Sequence, residues 1–215
     1  MYKKFFNNKF IVVEGIEGAG KKHACLLIKQ ILKMNGIKNV ISIREPGSTA
    51  IAEKIRILIK EQHYKEKIIN ITELLLIYAA RTQLIETIVK PALKKGKWII
   101  SDRHDLSSFA YQGGGSGISS KTISKIRKIC LKNFYPDLTV YLDVDPEIGL
   151  KRAFSRGNVD RIEKKNINFF IRTRERYLEL ISKNPKSITI NANKNLYIVQ
   201  QTILKKIKKW LKIQT

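Results

Sequence analysis

Apolar residues along the chain fall into two alternating rhythms. Five short β-rich runs, Phe10–Glu14, Asn39–Ile43, Trp98–Ser101, Leu138–Val144 and Ile188–Ile190, are separated by longer segments with helical spacing. Strands alternating with helices predict parallel βαβ units and an α/β protein. Between the second and third strands the helical part is double. Ile51–Glu61 and Thr72–Lys95 flank a polar stretch, His63–Asn70, where an inserted substrate-binding element would sit. Near the end, Phe169–Ser182 and Leu196–Lys212 keep helical spacing. In the latter, Ile198, Ile203, Ile207 and Leu211 form the expected core stripe, and Lys205, Lys206, Lys208 and Lys209 point outward as a solvated face. With no internal repeat or low-complexity linker, one domain over residues 1–215 is expected.

Composition narrows the class. The longest unbroken apolar run is Leu74–Ala80, far short of the roughly 18–20 residues that a membrane span needs. The start, MYKKFFNN, leads into Phe10–Glu14 with no long apolar stretch or small-residue cleavage site, so it does not read as a signal peptide. A soluble, cytoplasmic protein without membrane contact is expected. The 2 cysteines, Cys25 and Cys130, lie far apart in the chain, and the 3 histidines, His23, His63 and His104, form no ligand pair. Neither a disulfide framework nor a dedicated His/Cys metal site is expected.

The net charge of +24, from 42 Lys+Arg against 18 Asp+Glu, raises the question of a nucleic-acid partner. Lys supplies 31 of those cations, Ile occurs 34 times and Asn 13, against 10 Ala. These are the residues of AT-rich codons, so base-composition drift explains the bias without a specific nucleic-acid partner.

The sharpest chemical signal follows the first strand, at Gly15-Ile16-Glu17-Gly18-Ala19-Gly20-Lys21-Lys22. The spacing GxxxxGK between a strand and a helix is the P-loop context. Its glycines turn backbone N–H groups toward phosphate oxygens, the helix N-terminus adds positive charge, and Lys21 reaches the β- and γ-phosphates. One position departs from the pattern. Where a Ser or Thr hydroxyl would ligate Mg²⁺, this chain has Lys22, followed by His23. Three readings stay open: Mg²⁺ is held by water and carboxylates, Lys22 replaces it in part electrostatically, or catalysis is impaired while nucleotide binding persists.

Further candidates gather at predicted strand ends. Ser101-Asp102-Arg103-His104 closes the third strand, with an acid able to orient Mg²⁺ or its waters and an Arg able to clamp a phosphate. Arg44-Glu45-Pro46-Gly47 follows the second strand similarly. Ile77 and Arg81, four apart, share a helix face with Leu74 and Leu84, either as a binding wall or as a core stripe with a snorkelling Arg. Tyr111 and Gln112, just before a glycine-rich loop (residues 113–117) expected to be mobile, suit stacking on a base and hydrogen-bonding its edge. After the fourth strand, Arg152, Arg156 and Arg161 surround Gly157, a composition that suits a basic lid over transferring phosphates.

Together, FIVVEGIEGAGK, REPGST, ELLLIYAAR, ISDRHDLSSFAYQGGG, PDLTVYLDV and GLKRAFSRGNVDRIE resemble the thymidylate kinase family of P-loop nucleoside monophosphate kinases, in order and over essentially the whole chain. The resemblance implies a three-layer sandwich with a five-stranded parallel sheet and a short lid at about 150–162. It also implies ATP-dependent phosphorylation of dTMP to dTDP in dTTP synthesis, Mg²⁺ dependence and a homodimer. Carried onto this sequence, Gly15 to Lys22 would hold ATP, Glu17 would face the dTMP sugar, and Arg44, Arg81 and Arg103 would hold its phosphate. Tyr111, Gln112 and Ile77 would contact the thymine, and Asp102 would serve the metal, directly or through water. Lys21, Asp102, Arg103 and the lid arginines, Arg156 foremost, would be catalytic. Because Gly18 stands where some members carry a basic residue, the catalytic arginine is expected from the lid.

Ile77 departs from the family as well, replacing a Phe that would stack on thymine, and Ser48 replaces a Gly. Weaker dTMP affinity follows. The alternatives are a nucleotide-binding relative impaired by Lys22, or a kinase for dUMP or a purine monophosphate.

Overall fold

A computed structural model describes residues 8–61, 66–157 and 159–213. His63 and most of the MYKKFFNN start lie outside them. Five strands, β1 (Phe10–Glu14), β2 (Val40–Arg44), β3 (Trp98–Asp102), β4 (Leu138–Asp143) and β5 (Ser187–Asn191), form one parallel sheet in the order β2-β3-β1-β4-β5. Pairing register aligns Val13 with Asp102, Arg44 with Asp102, and Glu14 with Tyr141. Polar residues thereby end the apolar strands along one edge of the sheet, the edge where open α/β sheets bind ligands.

Both faces are covered. Along β1, Ile11 and Val13 enter one core with α1 (Lys21–Met34), α8 (Ile167–Ser182) and α9 (Leu196–Ile213), while Phe10 and Val12 enter a second core with α3 (Asn70–Leu84) and α6 (Ser120–Leu131). This burial on both sides is why the strands read as continuous apolar runs. Helices α2 (Ala50–Lys60), α4 (Lys90–Lys94), α5 (Asp105–Ser108) and α7 (Pro146–Phe154) complete the layers. Thr49, Ser119, Asp145 and Asn166 cap α2, α6, α7 and α8 by accepting backbone N–H bonds.

Four features correct the sequence reading. The helix expected over Thr72–Lys95 starts at Asn70 and passes through a π-helical turn, Ile85–Val89, before α4. Pro91, with no N–H to donate, sits where the regular ladder is interrupted. Ile198 is 45% exposed, so the α9 stripe runs instead through Val199, Ile203, Ile207 and Leu211, at intervals of four. The glycines expected in a mobile loop largely belong to a packed π-helical turn, Phe109–Gly115, against α8. A β-carbon on Gly115 would stand 2.4 Å from the Phe169 ring, and one on Gly114 2.7 Å from the Arg172 carbonyl oxygen. The helical stretch expected between the third and fourth strands divides into α5, this π-helical turn and a separate helix, α6, whose lysines mask a stripe of Ile123, Arg127 and Leu131 at intervals of four.

Candidate active site

The loop after β1 delivers the chain into α1 through glycines with positive φ, among them Gly18 at 70° and Gly20 at 90°. Gly18 has no room for a side chain: a β-carbon there would lie 1.9 Å from the Gly149 carbonyl oxygen of α7. Gly20, as N-cap of α1, offers no side-chain hydrogen bond, and the first turn holds no acid. Its N–H groups and positive dipole end are thus left for an anion. Lys21 Nζ donates to the carbonyl oxygens of Gly15 at 3.0 Å and Ile16 at 2.8 Å. Burial, with Arg103 beside it, pushes this ammonium down to about 8.

Arg103, one residue past β3, has φ 75°, an unfavourable conformation for a residue with a β-carbon. Its guanidinium spans the loop and the cavity, donating to the Gly15 carbonyl at 3.0 Å, to Glu17 at 2.8 Å and to the Tyr111 hydroxyl at 3.0 Å. The Tyr111 hydroxyl donates in turn to Glu17 at 2.5 Å. Although burial works against its charge, Tyr111 and Glu17 hold Arg103 well above the usual range.

Arg81 does not snorkel. It is 2% exposed, with Nε donating to Glu45 at 2.6 Å, Nη1 to the Ser108 hydroxyl at 2.9 Å and Nη2 to the His104 carbonyl at 3.0 Å. Glu45 takes His104 Nδ1 on its other oxygen at 2.8 Å. Burial would raise the Glu45 carboxyl, but His104 and Arg81 outweigh it and hold it below the usual range. Ile77, one turn earlier on α3, lines the cavity beside Arg81, while Arg44 lies at the rim, paired with Glu53 at 2.9 Å. Gln112 donates to the buried Glu73 at 2.8 Å.

The three lid arginines separate. Arg152 donates to the carbonyls of Ala192 and Asn193, at 2.7 and 3.4 Å, and Arg161 to the Ile59 carbonyl and to Glu73. Arg156, 64% exposed, is paired with Glu163 at 3.1 Å. A cavity of about 770 Å³ runs from Gly18 past Arg81 to Arg152 and Arg156, and Arg161 is not part of its lining. Of the acids that line it, Glu17, Glu45, Glu73, Asp160 and Glu163 are each ion-paired. Asp102 alone has no ion pair among the described residues.

Sequence reasoning passed over Glu14, Glu45 and Glu73. Glu14 is wholly buried and accepts from the Ser107 hydroxyl at 2.7 Å, the Tyr177 hydroxyl at 2.8 Å and the His104 N–H at 2.9 Å, while burial pushes its carboxyl up. The available signal was an acid ending an otherwise apolar strand. As for a metal, no group of three or more His, Cys, Asp or Glu among the described residues is arranged to hold one, and the loop offers no hydroxyl after Lys21. The Asp102 carboxylate fits a Mg²⁺ that arrives on phosphates, since such ions keep one or two carboxylates and several waters.

Comparison with known proteins agrees with this geometry. The family model described as thymidylate kinase matches residues 13–203. A thymidylate kinase of Buchnera aphidicola subsp. Schizaphis graminum is 60% identical over 204 residues, covering 95% of this chain and 96% of that one. One from Vibrio parahaemolyticus is 51% identical over 205 residues, covering 95% and 98%. The crystal structure of thymidylate kinase from Ehrlichia chaffeensis superposes with a TM-score of 0.75 at 30% identity, over 95% of this chain and 99% of that one.

Proposed function

This chain belongs to the thymidylate kinase family, and on that premise we propose how its residues share the work of phosphorylating dTMP with ATP. The reaction moves the γ-phosphoryl group of ATP to a phosphate oxygen of dTMP, leaving ADP and dTDP. Little covalent chemistry falls to the protein, so positioning and charge neutralisation carry the catalysis.

The observation that supports the assignment best is the reach of Arg103 from the Gly15 carbonyl to Glu17 and Tyr111. One guanidinium touches the wall of both subsites and is placed for the phosphate of dTMP where it meets ATP. Gly15 to Lys22 hold the ATP phosphates on the N-terminus of α1. Arg81, clamped by Glu45 and Ser108, presents its remaining N–H groups to the dTMP phosphate together with Arg44. Ile77, Tyr111 and Gln112 wall the thymine, and Glu17 faces the sugar. Mg²⁺, when it comes with the nucleotide, would be held at Asp102 and would neutralise phosphate charge.

Arg156 is the lid arginine that acts on the transferring group, because its side chain, though paired with Glu163, is 64% exposed, whereas Arg152 and Arg161 spend their guanidiniums on carbonyls and the buried Glu73. We assign the whole chain to one domain with this lid. The exposed Ile51, Ile57, Ile71 and Leu75 on neighbouring α2 and α3 support a homodimer packed through helices. No helix among the described residues is long and apolar enough to cross a membrane, and the reading places the enzyme in the cytoplasm without a nucleic-acid partner.

Steady-state kinetics of Arg156→Ala test the assignment. A kcat lower by about 10²- to 10³-fold, with KM for dTMP unchanged, is expected for loss of a transition-state contact. An unchanged kcat would move the role to another residue.

A further inference from the structure

The residue after Lys21 is where the active site departs furthest from the chemistry its loop implies. P-loop enzymes place a Ser or Thr hydroxyl there, on the metal. A lysine ammonium at that position, here Lys22, has no lone pair to give.

Three observations bear on what it does instead. The first turn of α1 contains Lys21 and Lys22 and no acid, so two cations sit at the positive end of the helix dipole, an arrangement that only an anion relieves. Lys22 is exposed, lines the same cavity as Lys21, and has no ion pair among the described residues. Among the acids of that cavity, only Asp102 is without an ion pair there. The site thus offers a divalent cation one carboxylate and a polyphosphate many donors. A lysine ammonium on its four-carbon stem is a mobile point charge suited to follow phosphate oxygens.

We propose that Lys22 supplies at the ATP phosphates part of the charge that Mg²⁺ supplies in P-loop enzymes with a hydroxyl at this position, so that this chain binds ATP tightly without the metal. Asp102 would then be the residue that holds a Mg²⁺ arriving on the nucleotide. This rests on the assignment of the loop to ATP.

Calorimetric titration of the full chain with ATP, in EDTA and in Mg²⁺ at matched ionic strength and without dTMP, tests it. For the parent chain, Kd differs by less than about threefold between the two conditions. Lys22→Thr loses about tenfold or more in EDTA and recovers in Mg²⁺, because it exchanges a charged contact for a metal ligand. Lys22→Met, which restores neither, is weakened in both. Parent binding that collapses tenfold or more in EDTA, or Lys22→Thr binding like the parent there, overturns the inference and leaves the ATP assignment standing. Absence of ATP binding under both conditions overturns that assignment and the inference with it.

Discussion

Gly18 of the phosphate loop and Gly149 of α7 meet backbone to backbone. A β-carbon on Gly149 would stand 2.5 Å from the Glu17 carbonyl oxygen, and one on Gly18 would stand 1.9 Å from that of Gly149. Neither neighbour is a flexible side chain that can step aside, so the loop's position over β1 depends on both glycines. The same contact excludes a basic side chain at Gly18, in keeping with the proposal that a lid arginine supplies the catalytic cation.

Gly149→Ala therefore forces the loop away from α7. A stability loss of about 1–3 kcal/mol is expected, as for overpacked cores, together with a raised KM for ATP. Urea denaturation and initial-rate kinetics measure the two effects. A variant with parent stability and parent KM would show that the contact is slack.

The buried pair Glu45–Arg81 predicts a different asymmetry. Glu45→Ala leaves Arg81 charged in a site 2% open to solvent and should cost about 3–5 kcal/mol, the range for breaking a buried pair. Arg44→Ala, which removes an exposed guanidinium from a partly exposed Glu53, should cost about 1 kcal/mol or less. Equal losses in denaturant midpoint would contradict the burial difference.

Lys21 sets a pH limit. Its ordinary value of 10.5 falls to about 8 because burial disfavours the charge. Below about 8 the ammonium is present to bind phosphate; above it the free enzyme loses that charge, so kcat/KM for ATP falls as pH rises past about 8. Lys21→Arg, which stays charged, removes this descending limb if it still turns over. For stability the sign is opposite: between about 8 and 10.5 the unfolded chain holds the extra proton, so this group's contribution rises with pH. A profile flat to pH 10 would refute the shift.

Much of this was legible in the sequence, for identifiable reasons. Strand positions emerged within a residue or so at most ends because a sheet buried on both faces needs unbroken apolar runs, and the GxxxxGK spacing of Gly15 to Lys21 located the loop between β1 and the start of α1. What failed was whatever depends on packing across the fold. The glycines after Gln112 resemble a flexible loop until Phe169 and Arg172 of α8 are seen pressed against them. Arg81 resembles a surface cation until its partner Glu45, 36 positions away, is known. The sequence ranks Arg156 first among the three lid arginines without showing what each reaches; the carbonyls and carboxylates tell them apart.

Ile77 lines the cavity, and the proposed function sets it against the thymine. Ile77→Phe should tighten dTMP binding by roughly 1–3 kcal/mol, if the stacking value for single-stranded bases carries over. Fluorescence or calorimetric titration with dTMP checks this, and no gain in affinity would place the thymine elsewhere.

The central claim is that these groups converge on one reaction, transfer of phosphate from ATP to dTMP. The direct measurement is product analysis, by chromatography or phosphorus NMR, after mixing the chain with Mg²⁺-ATP and each of dTMP, dUMP, AMP and GMP in turn. The expected products are dTDP and ADP in equal amounts, with kcat/KM for dTMP above that of the other three acceptors. No dTDP above background at saturating enzyme, or an equal or higher kcat/KM with AMP or GMP, would contradict it.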